Sequence, residues 1–258
     1  MNAMLVSLFL PLTTSLLVGT LRTPASSSTR APPPLATSPS VPNWFVQVPR
    51  TVSTMADQAA KSVGGAVRAG QRRVIVEAAV PELEPTGAAF RLPQLIAFAQ
   101  AMALSLLEPQ EQIVVASRPT IKLLFASTAD AKLSGATAPT ASVAVSVLGH
   151  PSMVDPSDGA FVVVAPNVAQ KSTDAEAALR GLLGAAQGRP VIVLNPRLGG
   201  GSAALGSCET VYLLRPLELA YLRDQFADRV ERTNACLLRC FPHEWCARLP
   251  TRAPPAAF

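Results

Sequence analysis

The stretch GAFVVVAPNVAQKSTDAEAALRGLLGAAQGRPVIVLNPRL, residues 159–198, decides the fold class. It opens on a continuous apolar run, Phe161-Val162-Val163-Val164, and closes on another, Val191-Ile192-Val193-Leu194. Short runs of this kind, rich in β-branched residues and bounded by Pro or Gly, predict strands covered on both faces. Between them Thr173 and Glu176 have capping-box spacing, Leu179, Leu182, Leu183 and Ala186 recur as a helical stripe, and Gly188 follows the last turn. Strand, helix and strand in roughly 30 residues make a βαβ unit, which calls for two parallel strands and a helix packed across them.

Working outward, the same strand signature recurs in RRVIVEAAVPEL (72–83), TIKLLFAS (120–127), ASVAVSVLG (141–149) and ETVYLLRP (209–216). Two helices are expected before the unit. MADQAAKSVGGAVRAG (55–70) places Ala59, Ala60, Val63 and Val67 at helical spacing and ends at Gly70. RLPQLIAFAQAMALSLL (91–107) puts Leu92, Leu95, Ile96, Ala99, Met102, Ala103, Leu106 and Leu107 on one face, with Pro93 in the first turn, where a missing N–H costs little. A last helix is expected over LELAYLRDQFADRVER (217–232). The alternation predicts a single three-layer α/β sandwich, Rossmann-like, with a mostly parallel sheet of five or six strands.

Composition narrows the function classes. The chain has 258 residues, 49% of them hydrophobic and 15% charged, enough for one sizeable core and unlike a disordered protein. Its net charge is +5, yet residues 1–56 contain Arg22, Arg30 and Arg50 and no acid, so those 3 of the +5 belong to the extension and the remainder carries +2. A nucleic-acid binder concentrates charge on a folded face, and no such stripe is visible; Arg72-Arg73 reads as the solvated start of a strand.

The N-terminal segment reads as an address. MLVSLFLPLTTSLLVG (4–19) has the length of a signal-peptide apolar core and is broken by Pro11, and TLRTPASSSTRAPPPLATSPSVP (20–42) has the Ser/Thr/Pro/Ala-rich, acid-free composition of a transit peptide. The expected organisation is a signal-like segment over 1–19, a transit-like segment over 20–53, one α/β domain over 54–250 and a short tail over 251–258. That two-part address implies import into a plastid; a secretory signal followed by a Pro-rich linker is the alternative.

Four short motifs stand in order along the domain: the strand closing on Val76-Glu77, the turn Asn195-Pro196-Arg197-Leu198, the stretch from Tyr212 to Leu217, and Phe241-Pro242 with Trp245. With these the chain resembles the plastid and cyanobacterial domain-of-unknown-function family that includes the low photosystem II accumulation assembly factor and the domain appended to a chloroplast adenylate kinase. The resemblance covers about residues 54–250 and implies a role in building or maintaining photosynthetic complexes. It carries over no catalytic residue and no cofactor. Two departures stand out: the connection after Leu198 is short and glycine-rich, and Ser127-Thr128 stand where an acid would be expected.

The candidate site lies at strand ends. In parallel α/β sheets ligands sit outside the carboxyl ends of strands, and Asn195, Arg197, Arg215 and Glu77 all stand there. The two arginines either clamp a carboxylate or phosphate or pair with nearby acids such as Glu209 and Glu218. The triple glycine Gly199-Gly200-Gly201 fails as a phosphate loop, because Gly201-x4-Gly206 is followed by Ser207-Cys208 and not by Lys. It fails equally as a dinucleotide fingerprint, since barely a dozen residues separate Leu198 from the next strand; a flexible linker is expected there. Cys236, Cys240, His243 and Cys246 lack paired zinc-ligand spacing, and an extended strand would hold the first two about 13 Å apart. His150 and His243 stand beside Pro in loop-like segments, with no nucleophile elbow in the chain. The expectation is a plastid protein that is not an enzyme, needs no cofactor, metal or nucleic acid, and binds proteins at the thylakoid, photosystem subunits or assembly factors among them. A small-ligand binder or enzyme using the strand-end rim, and a regulatory domain tied to nucleotide metabolism, are the alternatives.

Overall fold

The computed structural model describes residues 48–108, 113–114, 117–137, 140–166, 172–198, 202–222 and 230–248. The expected signal-like segment, most of the transit-like segment and the 251–258 tail lie outside them. The described residues fall in the unit Phe45–Phe258.

Four α-helices and eight strands follow in the order α1 (Val52–Arg68), β1 (Arg73–Ala78), α2 (Leu92–Ser105), β2 (Thr120–Phe125), α3 (Thr128–Ala136), β3 (Val143–Val147), β4 (Asp158–Val164), α4 (Ser172–Ala185), β5 (Val191–Leu194), β6 (Glu209–Leu222), β7 (Val230–Cys240) and β8 (Cys246–Arg248). The sheet order is β3-β2-β4-β5-β1-β6-β7-β8. The first six of these strands are mutually parallel, which is the sheet the apolar runs called for. β7 and β8 extend it to eight with antiparallel pairing.

The sheet is covered on both faces. α1, α2 and the start of α3 bury Ala59, Val63, Phe98, Met102 and Ala131 against one side, beneath which lie Val74, Val76, Leu123, Val162 and Tyr212. On the other side Leu179, Leu182 and Leu183 of α4 pack on Ile75, Leu124, Phe161 and Val193. The stripe expected of α4 is the face it buries; the Thr173 side chain of its expected capping box lies outside the described side chains. At Gly159 the start of β4 runs so close to its neighbour that an added Cβ would stand 2.2 Å from the Arg118 carbonyl oxygen, so no larger residue fits without moving backbone.

Capping explains where two helices begin. α1 opens at Val52, three residues ahead of the expected Met55, because Thr51 accepts a hydrogen bond from the Thr54 N–H at 3.1 Å while the Thr54 hydroxyl receives the Thr51 N–H at 3.2 Å. α3 leaves no apolar stripe in the sequence, burying only Ala131 and Ser134. It starts where Ser127 accepts from the Asp130 N–H at 3.0 Å, so the hydroxyl that stands in place of an expected acid performs an acid's capping role.

The helix expected over 217–232 is overturned. Residues 217–222 continue β6, residues 230–232 begin β7, and 223–229 lie outside the described residues. Leu, Glu, Ala and Arg favour helices locally, but register pairing from Tyr212↔Cys240 out to Leu222↔Val230 supplies a full antiparallel ladder that local propensity does not encode. β1 pairs with β6 only as far as Ala78↔Leu214, so the outer half of β6 and its partner β7 run on as a two-stranded ribbon.

Candidate functional site

Adjacent strands β1 and β5 send their outgoing chains to opposite faces. After β1, Val80 and Leu83 pack on the α1/α2 side; after β5, Leu198, Ala204 and Leu205 pack on the α4 side. Such a divergence opens a crevice at the carboxyl ends of the strands, the usual ligand position in this architecture. Here the chain closes it with its own side chains.

Asn195 is the bolt. It is fully buried and takes a left-handed backbone (φ 44°), which Asn tolerates better than most residues. Its Oδ1 accepts the Ala78 N–H at 2.6 Å, and its Nδ2 donates to the carbonyls of Ala78 at 3.1 Å and Leu83 at 2.9 Å. A primary amide both donates and accepts, so Asn meets all three groups where a carboxylate would face two carbonyl oxygens. Two residues on, Arg197 forms a two-pronged pair with Glu84 in the same β1–α2 connection, and its N–H donates to the Pro166 carbonyl at 3.0 Å. Burial alone would raise the Glu84 carboxyl, but hydrogen bonds from Arg197 and Thr86, with the Arg197 charge, outweigh it and hold it below its ordinary value.

Arg215 on β6 reaches across to Glu77 on the neighbouring β1, at 2.9 Å, with the guanidinium about half exposed. Of the four residues picked out from sequence, Arg215 meets Glu77 across β6 and β1, Asn195 bonds the end of β1, and Arg197 turns to the loop after it, so each arginine is engaged by an acid. The partners are Glu84 and Glu77; Glu209, one of the acids expected to serve, instead pairs with Arg239 at 2.9 Å. Glu84 had no periodic signal to mark it. Its one clue is position, in a Pro-flanked loop (Pro81, Pro85) leaving the strand next to β5.

Residues 49–249 match the family model described as Domain of unknown function (DUF1995). The chain belongs to that family. The DUF1995 match runs from just before α1 to just after β8, so the family's domain and the sandwich are one segment. A comparison with curated proteins and one with solved structures found no match.

The remaining candidates in the DUF1995 domain fall into place on the sheet. The glycines 199–201, expected to be a flexible linker, lie outside the described residues; the chain resumes at Ser202 and makes one 3-10 turn, Leu205–Ser207, before β6. Cys236 and Cys240 stand four residues apart on extended β7, and Cys246 of β8 pairs opposite Leu238 between them. Alternation puts all three on the face that packs toward α1. Burial, with the neighbouring Cys236 and against a Ser62 hydrogen bond, pushes the Cys240 thiol up to about 11, which keeps it protonated and unreactive at neutral pH. Among the described residues no group of three or more His, Cys, Asp or Glu stands close enough to hold a metal ion. His150 is exposed and bonds Ser152 within its own turn at 2.7 Å, and His243 is exposed after β7. No helix among the described residues is long and apolar enough to cross a membrane.

The domain also holds a pocket that no motif of the sequence marks. It has a volume of about 470 Å³ and lies between the first turns of α1 and α2, walled by the same β1–α2 connection that Asn195 and Arg197 hold.

Proposed function

We propose that this DUF1995 protein works without catalysis in a plastid, binding proteins at the thylakoid, with photosystem subunits or their assembly factors as its partners. The observation that carries the reading is the closed rim. Where an α/β enzyme of this architecture keeps open polar groups for a substrate, Asn195, Arg197 and Arg215 are each engaged by the chain itself. The resemblance of the four motifs to the family that includes the photosystem II accumulation factor and the acid-free, transit-like composition of residues 20–53 both support the same reading. The far edge of the sheet offers an anchor of the kind protein interfaces use: Trp245 is 49% exposed, with the Arg239 guanidinium 5.3 Å from its ring centre.

The test is recovery of partners. The full chain with a C-terminal tag, expressed in a plastid-bearing cell, should reach the plastid and, from solubilised thylakoids, bring down photosystem subunits or assembly factors. The Trp245→Ala chain should recover clearly less. A wild-type chain that enters the plastid and recovers none of these proteins would sink the proposal. The rival reading, a carboxylate- or phosphate-binding rim, requires Arg197 or Arg215 to leave its acid for the ligand.

A further inference from the structure

The pocket between α1 and α2 differs from the rim in its chemistry. Its floor is apolar, made by Val52 and Met55 from α1 and by Val80 and Leu83 from the loop after β1. Its mouth carries Arg50, Arg91 and Gln94, with Glu82 on the loop side. Neither arginine has an ion-pair partner among the described residues, in contrast to Arg180, Arg197, Arg215 and Arg239. Glu82 forms no ion pair there either, so the lining presents two cations against one anion. The two guanidinium groups and the apolar floor carry the argument; the helix ends only add to it, since neither α1 nor α2 has an acid in its first turn and Arg91 gives α2 no side-chain cap.

We infer that this pocket binds an amphiphilic anion, a compact apolar body carrying one carboxylate or phosphate head. The floor takes the body, as in ordinary small-ligand sites, which run from roughly 300 to 1,000 Å³. The head meets Arg50 and Arg91, whose planar forks suit carboxylate and phosphate oxygens alike. The wall is held in place by the Asn195 bond to the Leu83 carbonyl and by the Arg197 pair with Glu84, so the Asn-Pro-Arg turn shapes the pocket without touching its occupant. The inference stands apart from the protein-binding proposal, because it concerns the helix side of the loop and needs no partner protein.

Calorimetry and thermal melting of the full chain test it with four probes below their micelle-forming concentrations: octanoate, octyl phosphate, inorganic phosphate and the neutral octyl glucoside. At least one of the first two should bind and raise the melting temperature, and whichever binds more tightly identifies the head group. Inorganic phosphate and octyl glucoside should each bind more weakly, since each supplies only half of the recognition. Arg91→Gln, at an exposed side chain, should weaken the amphiphile about tenfold or more, as loss of a charge-assisted hydrogen bond does. Gln94→Trp, which fills the mouth from an exposed helical position, should abolish binding. Arg72→Gln removes the same charge at the opposite end of β1 and should leave affinity unchanged. The inference is overturned if neither amphiphile binds, if octyl glucoside or inorganic phosphate binds as tightly, if Arg91→Gln binds like the wild type, or if Arg72→Gln weakens binding as much.

Discussion

Two pairs of arginines stand at the carboxyl-end side of this sheet, and they are in opposite conditions. Arg197 and Arg215 each hold an acid, Glu84 and Glu77, while Arg50 and Arg91 have no ion-pair partner among the described residues and border a pocket. The difference teaches that an arginine at the expected ligand position is not thereby a ligand-binding arginine. A guanidinium whose complement is supplied by the chain becomes part of the architecture, and only one whose complement is missing is available to something else.

The sharpest way to break the contrast is at its bolt. Asn195→Asp preserves shape but loses both donors and sets a carboxylate against the carbonyls of Ala78 and Leu83, so it should destabilise the fold by about 3 kcal/mol or more. Urea denaturation measures it, and a loss under about 1 kcal/mol would mean the rim is not closed as described.

Next comes the half-buried pair. Arg197→Ala strands Glu84 and should cost about 1–2 kcal/mol at neutral pH. The pH dependence has a definite sign. Because the folded state holds the Glu84 carboxyl below its ordinary value of 4.5, its contribution is complete above about 4.5 and is lost as pH falls through the lowered folded value. Arg197→Ala should therefore show a shallower loss of stability on acidification than the wild type, and an unchanged acid limb would refute the pairing.

The smallest effect belongs to Arg215→Ala. Its guanidinium is 48% exposed, and pairs that wet are worth about 0.5 kcal/mol or less. A larger loss in chemical denaturation would show that the Glu77 pair contributes more than its exposure implies. The ordering Asn195, Arg197, Arg215 follows burial, and reversal of any two would break the account of the rim.

Legibility in the sequence tracked how much each segment depends on distant partners. β4, α4 and β5 could be read directly because strands buried on both faces leave unbroken apolar runs and an amphipathic helix leaves a stripe. α3 could not, since only Ala131 and Ser134 are buried on it and two positions make no stripe. The residues of the outer half of β6 favour a helix by local propensity; pairing with β7 decides otherwise. Asn195, Arg197, Arg215 and Glu77 were found by position at strand ends. Nearness in sequence offers Glu209 and Glu218 as possible partners for the two arginines, the alternative to a ligand clamp, whereas the acids that meet them, Glu84 for Arg197 and Glu77 for Arg215, come from the loop after β1 and from β1 itself, more than a hundred residues away.

By itself, then, the sequence determined the sandwich class, the parallel core of the sheet, the family and the strand-end residues, because burial periodicity and short motifs are local properties of the chain. Tertiary structure alone decided that the rim arginines are held by acids of the chain and that a pocket bordered by two arginines without an ion-pair partner among the described residues lies beside them. Both depend on which segments meet: residues 49–55, 80–83 and 91–94 become one lining only when α1 and α2 are laid side by side over β1. Pairing between charges is set by distance in space, and no local pattern records it.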